Sequence, residues 1–133
     1  QVISRINGFT YVKTEFDFFT GKVNVIEEIP RLSAPIIAGN LYSHTWIIQN
    51  TGMTIWNEYY LECINGDNFS YVKKELCVPL KAHVMPGEKI SVKVEFATPP
   101  IEGIYTMVWQ IMKKDGTPAF AKNRRLEVLL NLI

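Results

Sequence analysis

Residues 41–50 read LYSHTWIIQN and run into the turn sequence Asn50-Thr51-Gly52. Bulky apolar and aromatic residues alternate with polar ones along this stretch, and β-branched and aromatic residues favour strands. The stretch lacks the apolar spacing of three and four residues that an amphipathic helix requires. It therefore predicts a long β-strand, with which the core of the domain begins.

Further strands are predicted on both sides of this one. Short apolar or alternating runs occupy residues 22–29, 58–64, 71–78, 89–96, 104–112 and 120–130, with Gly, Pro and Asn turn residues between them. A parallel sheet would require helical connections of a dozen or more residues, and no segment has that pattern. The spacing of strands and turns predicts an all-β sandwich.

The first residues form a separate β-rich segment. Residues 9–13 and 16–19 are aromatic and β-branched, and Asn7-Gly8 is a candidate hairpin turn. We expect residues 1–24 to be an N-terminal strand extension of a sandwich domain at 25–133. Its extra hairpin or strand would either cover a sheet edge or exchange between two chains in a homodimer, because bare edge strands invite pairing.

One local motif sharpens the sandwich prediction. Gly103 and Tyr105 have the arrangement of a tyrosine corner, in which the phenol bonds back to the main chain. Antibody domains place a cysteine two residues after that tyrosine, whereas this chain has Met107. Packing must then hold the sheets together, with Trp46, Trp109 and Tyr105 as structural core residues.

Several short motifs follow one another in a known order. They are Trp46 with Asn50-Thr51-Gly52, then Trp56, Pro86-Gly87, and Gly103-Ile104-Tyr105 with Trp109. As a set they resemble the four-tryptophan (FW) domain of selective-autophagy cargo receptors and of related bacterial modules, over about residues 25–133. This resemblance implies an immunoglobulin-like β-sandwich and a non-catalytic adaptor that recognises proteins.

The chain also departs from the family pattern. The first three signature tryptophans match Trp46, Trp56 and Trp109, but the fourth position is Arg125. Ile47 and Gln110 replace the arginines that usually follow the first and third tryptophans. The resemblance therefore implies a distant relative, with charge where other members present an aromatic ring.

Composition excludes several classes of protein. The chain has 133 residues, 14 Lys and Arg against 13 Asp and Glu, and a formal net charge of +1. We expect no nucleic-acid binding, because the basic residues are scattered along the sequence. No run approaches the roughly 20 apolar residues of a spanning helix, so no direct membrane insertion is expected. Lacking an initiator Met, the chain is interpreted as part of a longer protein, with an extracytoplasmic part of a bacterial protein preferred over a cytoplasmic one.

The sequence offers little catalytic chemistry. His44 and His83 fall in different predicted elements without a nucleophile motif, so both are interpreted as surface or hydrogen-bonded edge residues. Neighbouring strand residues point to opposite faces, so Glu27 and Glu28 cannot clamp one ligand and are interpreted as solvated charges. No metal or cofactor motif occurs, and we expect neither an enzyme nor a bound cofactor.

Cys63 and Cys77 lie on successive predicted strands. Buried thiols and a disulfide across a hairpin both stay open, because a bond requires Cα atoms within about 7 Å and suitable vectors.

Three functions remain. The first is a module that binds a protein or peptide by end loops or a sheet edge, because loops on a rigid scaffold often carry recognition. Its candidate residues are Trp56, Asn57, Tyr59, Gly66, Asp67 and Arg125. For Trp56, both core packing and partner contact stay open, since tryptophan serves in both roles. The alternatives are a carbohydrate-binding module using Trp56, Tyr59, Tyr60 and Tyr71, and a structural spacer.

Overall fold

The computed structural model describes residues 2–4, 11–13, 21–30, 35–66 and 76–133. Asn7-Gly8, residues 16–19, Asp67 and Tyr71 lie outside the described residues, and so do the predictions made for them. Within these ranges the regular secondary structure is almost entirely β-strand, as the alternating pattern predicts.

The strands are, in chain order, β1 Val2–Ser4, β2 Tyr11–Lys13, β3 Val23–Ile29, β4 Leu41–Asn50, β5 Trp56–Asn57, β6 Tyr60–Cys63, β7 Cys77–Pro79, β8 His83–Val84, β9 Lys89–Ala97, β10 Gly103–Met112 and β11 Leu126–Leu132. A short 3-10 turn at Lys122–Arg124 precedes β11. β4 has the predicted bounds, and β9 and β10 differ from the predicted runs by one residue.

Two sheets make the body of the domain. One has the strand order β11-β10-β6-β7 and the other β3-β4-β9, with antiparallel neighbours throughout. β5 and β8 form a short antiparallel ribbon, and β1 pairs with β2 in a separate two-stranded sheet. The predicted all-β sandwich is therefore confirmed.

The core lies between the inward faces of β4 and β10. Every second residue of β4 from His44 to Asn50 is buried, as a period of two requires. Trp46 on β4 and Trp109 on β10 are 1% and 0% exposed, and their rings meet edge to face at 6.1 Å between centroids. With no sulfur bridge between the sheets, burial of such rings supplies the adhesion, about 3 kcal/mol for each large side chain.

The segment before β4 crosses from one sheet to the other. β3 pairs with β4, whereas Ile36 forms a parallel bridge to Leu132 of β11. The amide of Ile36 donates to the carbonyl of Asn131 at 2.9 Å, and the amide of Ile133 donates back to Ile36 at 2.9 Å. Part of the β11 edge is covered in this way.

The tyrosine corner is present. The hydroxyl of Tyr105 donates a 2.7 Å hydrogen bond to the carbonyl of Ile101. Gly103 has a φ of 149°, and a Cβ at that position would come within 3.5 Å of the Tyr105 ring. That distance is an ordinary van der Waals contact, so it is the φ, which L side chains rarely adopt, that favours glycine here.

Several strand boundaries differ from the prediction. Of the run predicted at 71–78, the structure describes residues 76–78, and β7 begins only at Cys77 because Leu76 lies in a 3-10 turn. β6 starts at Tyr60 and not at residue 58, because Glu58 has a φ of 57° and leaves extended geometry. β11 starts at Leu126 and not at 120, because Phe120 turns into the core and a 3-10 turn follows. The ribbon of β5 and β8 is too short for its pattern to show in the sequence.

Candidate functional site

Five loops converge at one end of the sandwich, called here the loop end. They are residues 51–55, 58–59, 80–82, 85–88 and 113–124. The register places them together: Asn50 lies opposite Val23, Lys89 opposite Gln49, and Met112 opposite Tyr60. Loops on such a rigid framework are the usual place for recognition.

Asn50 ties two of these loops together. Its side chain is fully buried, and its amide nitrogen donates to the carbonyls of Thr54 at 2.8 Å and Val84 at 3.0 Å. Its side-chain oxygen accepts from the amide of Gly52 at 3.1 Å. A Cβ at Gly52 would stand 2.8 Å from the backbone nitrogen of Lys22, so the turn requires glycine.

Trp56 supports the loop end from beneath. It is 1% exposed, stacks on Tyr59 at 6.1 Å with 12° between ring planes, and meets Phe120 edge to face at 5.3 Å. Strand alternation turns Asn57 outward, where it pairs in register with His83. Of the two roles that stayed open for Trp56, the structure shows core packing, and the ring is not accessible to a partner in this conformation.

The first concave feature, called the tyrosine cleft, lies beside Tyr59. It measures about 350 Å³ and is lined by Glu58, Tyr59, Tyr60, Pro79, Leu80, Ala82 and Lys114. Burial, together with the charge of Asp115, raises the pKa of the Tyr59 phenol, so the ring carries a neutral hydroxyl. The cleft presents aromatic and apolar surface under a charged rim.

Glu58 and Lys114 form that rim. The Lys114 ammonium donates to the Glu58 carboxylate at 2.8 Å and lowers its pKa, which keeps the pair ionised. The amide of Glu58 donates to the carbonyl of Ala82 at 2.7 Å, which holds its left-handed backbone in place. A non-glycine residue with positive φ is uncommon and often lies at a functional site.

The second concave feature, called the methionine hollow, lies against the outward face of the β5–β8 ribbon. It measures about 650 Å³ and is lined by Met53, Thr54, Ile55, Asn57 and His83. Met53 is 91% exposed and Ile55 42% exposed. Met85, on the neighbouring loop, is 50% exposed, and its amide donates to the Glu88 carboxylate at 3.0 Å.

Basic residues collect at this end. Five exposed cations lie in these loops, Lys81, Lys113, Lys114, Lys122 and Arg124, and two more adjoin them, Lys89 in sequence and Lys22 through its bond to Thr51; they are seven of the chain's 14 Lys and Arg residues. Among the described residues of the loop end there are three carboxylates, Glu58, Glu88 and Asp115. Hydrogen bonds from Lys81 and the Met85 amide lower the pKa of Glu88, and bonds from Thr117 lower that of Asp115. The described residues of the loop end therefore carry more positive than negative charge, although the whole chain carries +1.

Arg125 lies elsewhere, in a hollow at the side of the sandwich. This side hollow, of about 350 Å³, is lined by Val25, Glu28, Trp46, Arg125, Leu126 and Glu127. The Nε of Arg125 is buried and has no hydrogen-bond partner among the described residues. Arg125 is thus not among the residues that line either concave feature of the loop end.

Glu28 and His44 correct a prediction. A β-bulge between Val25 and Glu27 shifts the register of β3, so that Glu28 lies opposite Trp46 and faces inward. The Nε2 of His44, a residue only 4% exposed, is 2.6 Å from the Glu28 carboxylate, and its Nδ1 is 2.8 Å from the Tyr42 hydroxyl. Glu28 is therefore a half-buried hydrogen-bond partner of His44 and more than a solvated charge, and His44 is a buried residue of a central strand. His83 is exposed.

Gly66 lies at the other end of β6 from the loop end, and Asp67 lies outside the described residues. The structure therefore does not bring Gly66 together with Trp56, Asn57 and Tyr59. Strand β6, from Tyr60 to Cys63, separates the two groups.

The two cysteines do not form a disulfide with each other. Cys77 lies opposite Glu62, the neighbour of Cys63, so the two side chains point to opposite faces. Cys63 is buried, and Cys77 is exposed, which corrects the expectation of two buried thiols. Within the described ranges, no group of three His, Cys, Asp or Glu side chains is arranged to hold a metal ion, and no helix is long and apolar enough to cross a membrane.

The two packed sheets, the tyrosine corner and the converging end loops define an immunoglobulin-like domain. The family model described as "Ig-like domain from next to BRCA1 gene" matches residues 33–129, and the chain belongs to this family. A second family model, described as GGGtGRT protein, matches residues 1–60.

Two solved structures of one archaeal domain have the same fold. Both are of the CARDB domain of a Pyrococcus furiosus protein, one determined in solution and one as a crystal structure in complex with di-metal ions. Each superposes with a TM-score of 0.53 and covers 86% of this chain. The sequence identities are 12% and 14%, and 93% and 90% of the archaeal chains are covered. The likeness concerns the fold alone.

Proposed function

We propose that the chain is a non-catalytic protein-binding module of the four-tryptophan type that works inside a larger protein. The observation that carries the proposal is the loop end, where two concave features flank a ribbon held rigid by Asn50 and Trp56. Membership of an Ig-like family and the presence of Trp46, Trp56 and Trp109 in the core support it. Arg125 at the fourth signature position sets this chain apart from the usual type.

Site-specific photo-crosslinking in the source organism tests the proposal. A photoreactive residue replaces Asn57 at the loop end in one variant and Lys93 on the outward face of β9 in another, both exposed positions. We expect protein adducts from position 57 and none from position 93. Adducts from position 93 alone would move the interface to the sheet, and absence of adducts from both would favour a structural spacer.

A carbohydrate-binding module is the second candidate, because Tyr59 and Tyr60 are partly buried and line one cleft beside Pro79. Aromatic rings of this kind stack on sugar faces. Trp56, being buried, offers no such face. A glycan array read with the wild-type domain and with Tyr60→Ala separates this candidate from the first, since only sugar binding predicts glycan signals that the substitution abolishes.

The homodimer through residues 1–24 stays a proposal. Pairing of β1 with β2 is compatible with either a cover for one chain or an exchanged element. Light scattering over a range of concentrations distinguishes the two, because a constant monomeric mass would remove the dimer.

A further inference from the structure

We infer that the methionine hollow binds an acidic peptide segment that carries a bulky apolar side chain. The inference rests on the proposed protein-binding function and names the chemistry of the partner. Three features carry it. They are a group of exposed apolar side chains, called the apolar tip, the lysines that adjoin it, and a pair of polar side chains lining the hollow, called the polar floor.

The apolar tip consists of Met53, Ile55 and Met85, which are 91%, 42% and 50% exposed. They belong to two different loops, and Asn50 joins these loops by bonding to the carbonyls of Thr54 and Val84. Unbranched methionine side chains adapt to irregular apolar partners and are frequent at binding surfaces. Apolar side chains presented together in this way gain free energy by being covered.

Three lysines adjoin the loops that carry this tip. Lys22 accepts a backbone hydrogen bond from Thr51, Lys81 lies two residues before His83, and Lys89 ends the loop of Met85. Glu88 is the one carboxylate of these loops among the described residues, and it is already engaged by Lys81 and by the Met85 amide. The described residues at these loops therefore carry more positive than negative charge, and complementary charge on a partner speeds and orients association.

The polar floor favours a peptide over an anionic membrane. Asn57 and His83, opposite each other on the ribbon, line the hollow with an amide and an imidazole. Both offer hydrogen bonds that a peptide backbone can match, whereas the flat surface of a bilayer leaves a hollow of about 650 Å³ unfilled. An isolated anion would gain nothing from the apolar tip.

Selection from a random-peptide phage library tests the inference with a defined probe. We expect enriched peptides to combine Asp or Glu with a large apolar residue. Their affinity should fall about tenfold or more for Met53→Glu, which removes a central apolar contact and repels acidic groups. Ile104→Glu is the matched control, because Ile104 is 74% exposed and faces outward at the opposite end of β10. Its affinity should equal that of the wild type.

Charge is tested separately with Lys89→Glu. We expect affinity for the selected peptides to fall several-fold and to depend less steeply on salt, as loss of one attractive charge requires. Unfolding midpoints equal to that of the wild type establish that all three variants are folded.

The outcomes separate the inference from the function on which it rests. Peptides that lack acidic bias, or that bind Met53→Glu as well as the wild type, overturn the inference. If such peptides instead lose binding to Tyr60→Ala, the protein-binding function stands and its site is the tyrosine cleft. Failure to enrich any peptide counts against both, and binding only to vesicles containing phosphatidylserine assigns the hollow to membranes.

Discussion

The two ends of the sandwich are built in different ways. At the loop end, a buried asparagine and a buried tryptophan carry loops whose outer side chains are exposed and largely cationic. The opposite end, called the far end, comprises residues 35–40 and 98–105, and neutral groups close it. Thr98 exchanges bonds with Asn40 and donates to Ile37, and Tyr105 bonds to Ile101.

The far end mainly stabilises the fold, whereas the loop end also offers an exposed surface for recognition. The far-end bonds run between side-chain hydroxyls and nearby backbone groups, and no charged group takes part in them. The loop-end bonds converge on a few interior side chains, which leaves the outer surface available for contacts. Substitutions should therefore act differently at the two ends.

The largest effect is expected from Trp56→Ala. Removal of the ring leaves a cavity beneath Tyr59 and Phe120, and we expect a loss of about 4 kcal/mol in the free energy of unfolding. Denaturant unfolding monitored by fluorescence measures it. Met53→Ala, at a 91% exposed position, is the control and should change stability by less than about 0.5 kcal/mol. A small effect of Trp56→Ala would mean that the ring is not a core element.

The second-largest effect is expected from Asn50→Ala, a loss of about 3 kcal/mol in the free energy of unfolding. The substitution removes three side-chain hydrogen bonds and leaves two carbonyls and one amide without these partners. Denaturant unfolding again provides the measurement. Asn50→Asp sharpens the test: a carboxylate still accepts from Gly52 but repels the carbonyls of Thr54 and Val84. A stable Asn50→Asp variant would contradict the described orientation of the amide.

At the far end, Tyr105→Phe should lower the free energy of unfolding by about 1 kcal/mol. The change removes only the hydrogen bond to Ile101 and keeps the ring. Thermal unfolding of this variant beside Tyr60→Phe, which lies at the loop end, gives the comparison. A loss as large as that of Asn50→Ala would show that the far end, too, depends on a single side chain.

The smallest effect is a response to pH that is confined to the loop end. Hydrogen bonds from Lys81 and the Met85 amide lower the pKa of Glu88 in the folded protein. The contribution of ionised Glu88 to stability is therefore fully present above the ordinary pKa of glutamate, about 4.3. It is lost as the pH falls through the lower pKa of the folded state. We expect the amide resonance of Met85 to shift in that acidic range. Glu88→Gln should abolish the shift.

The amide of Asn40 at the far end provides the internal reference for this titration. It donates to the neutral hydroxyl of Thr98 at 3.1 Å and should stay constant over the same range. Equal shifts at both ends would indicate global unfolding and not a local change at Glu88.

Much of the fold could be predicted from the residues because strand alternation is a local property. Residues 41–50 show their period of two without reference to the rest of the chain, and the observed strand has the same bounds. Tyr105 with Gly103 is likewise a short-range motif. The two-residue strands β5 and β8 were missed because a strand of that length exists only through its partner.

The candidate site could be predicted only in part. Asn57 and Tyr59 line the concave features of the loop end, whereas Trp56 lies beneath them and Arg125 faces the side hollow. Whether a tryptophan near a turn points inward depends on what covers it, here Tyr59 and Phe120, and Phe120 is distant in sequence. No pattern in the sequence indicated Met53 or Lys89 as site residues.

Sequence by itself determined the longer strands, the sandwich and the burial of Trp46 and Trp109, since burial of alternating apolar side chains follows from local patterning. Tertiary structure alone decided the rest. It collected seven scattered cations at one end of the sandwich, separated Gly66 from Trp56, and used a β-bulge to turn Glu28 toward His44. These outcomes depend on which strand ends meet in space, and long-range register sets that arrangement.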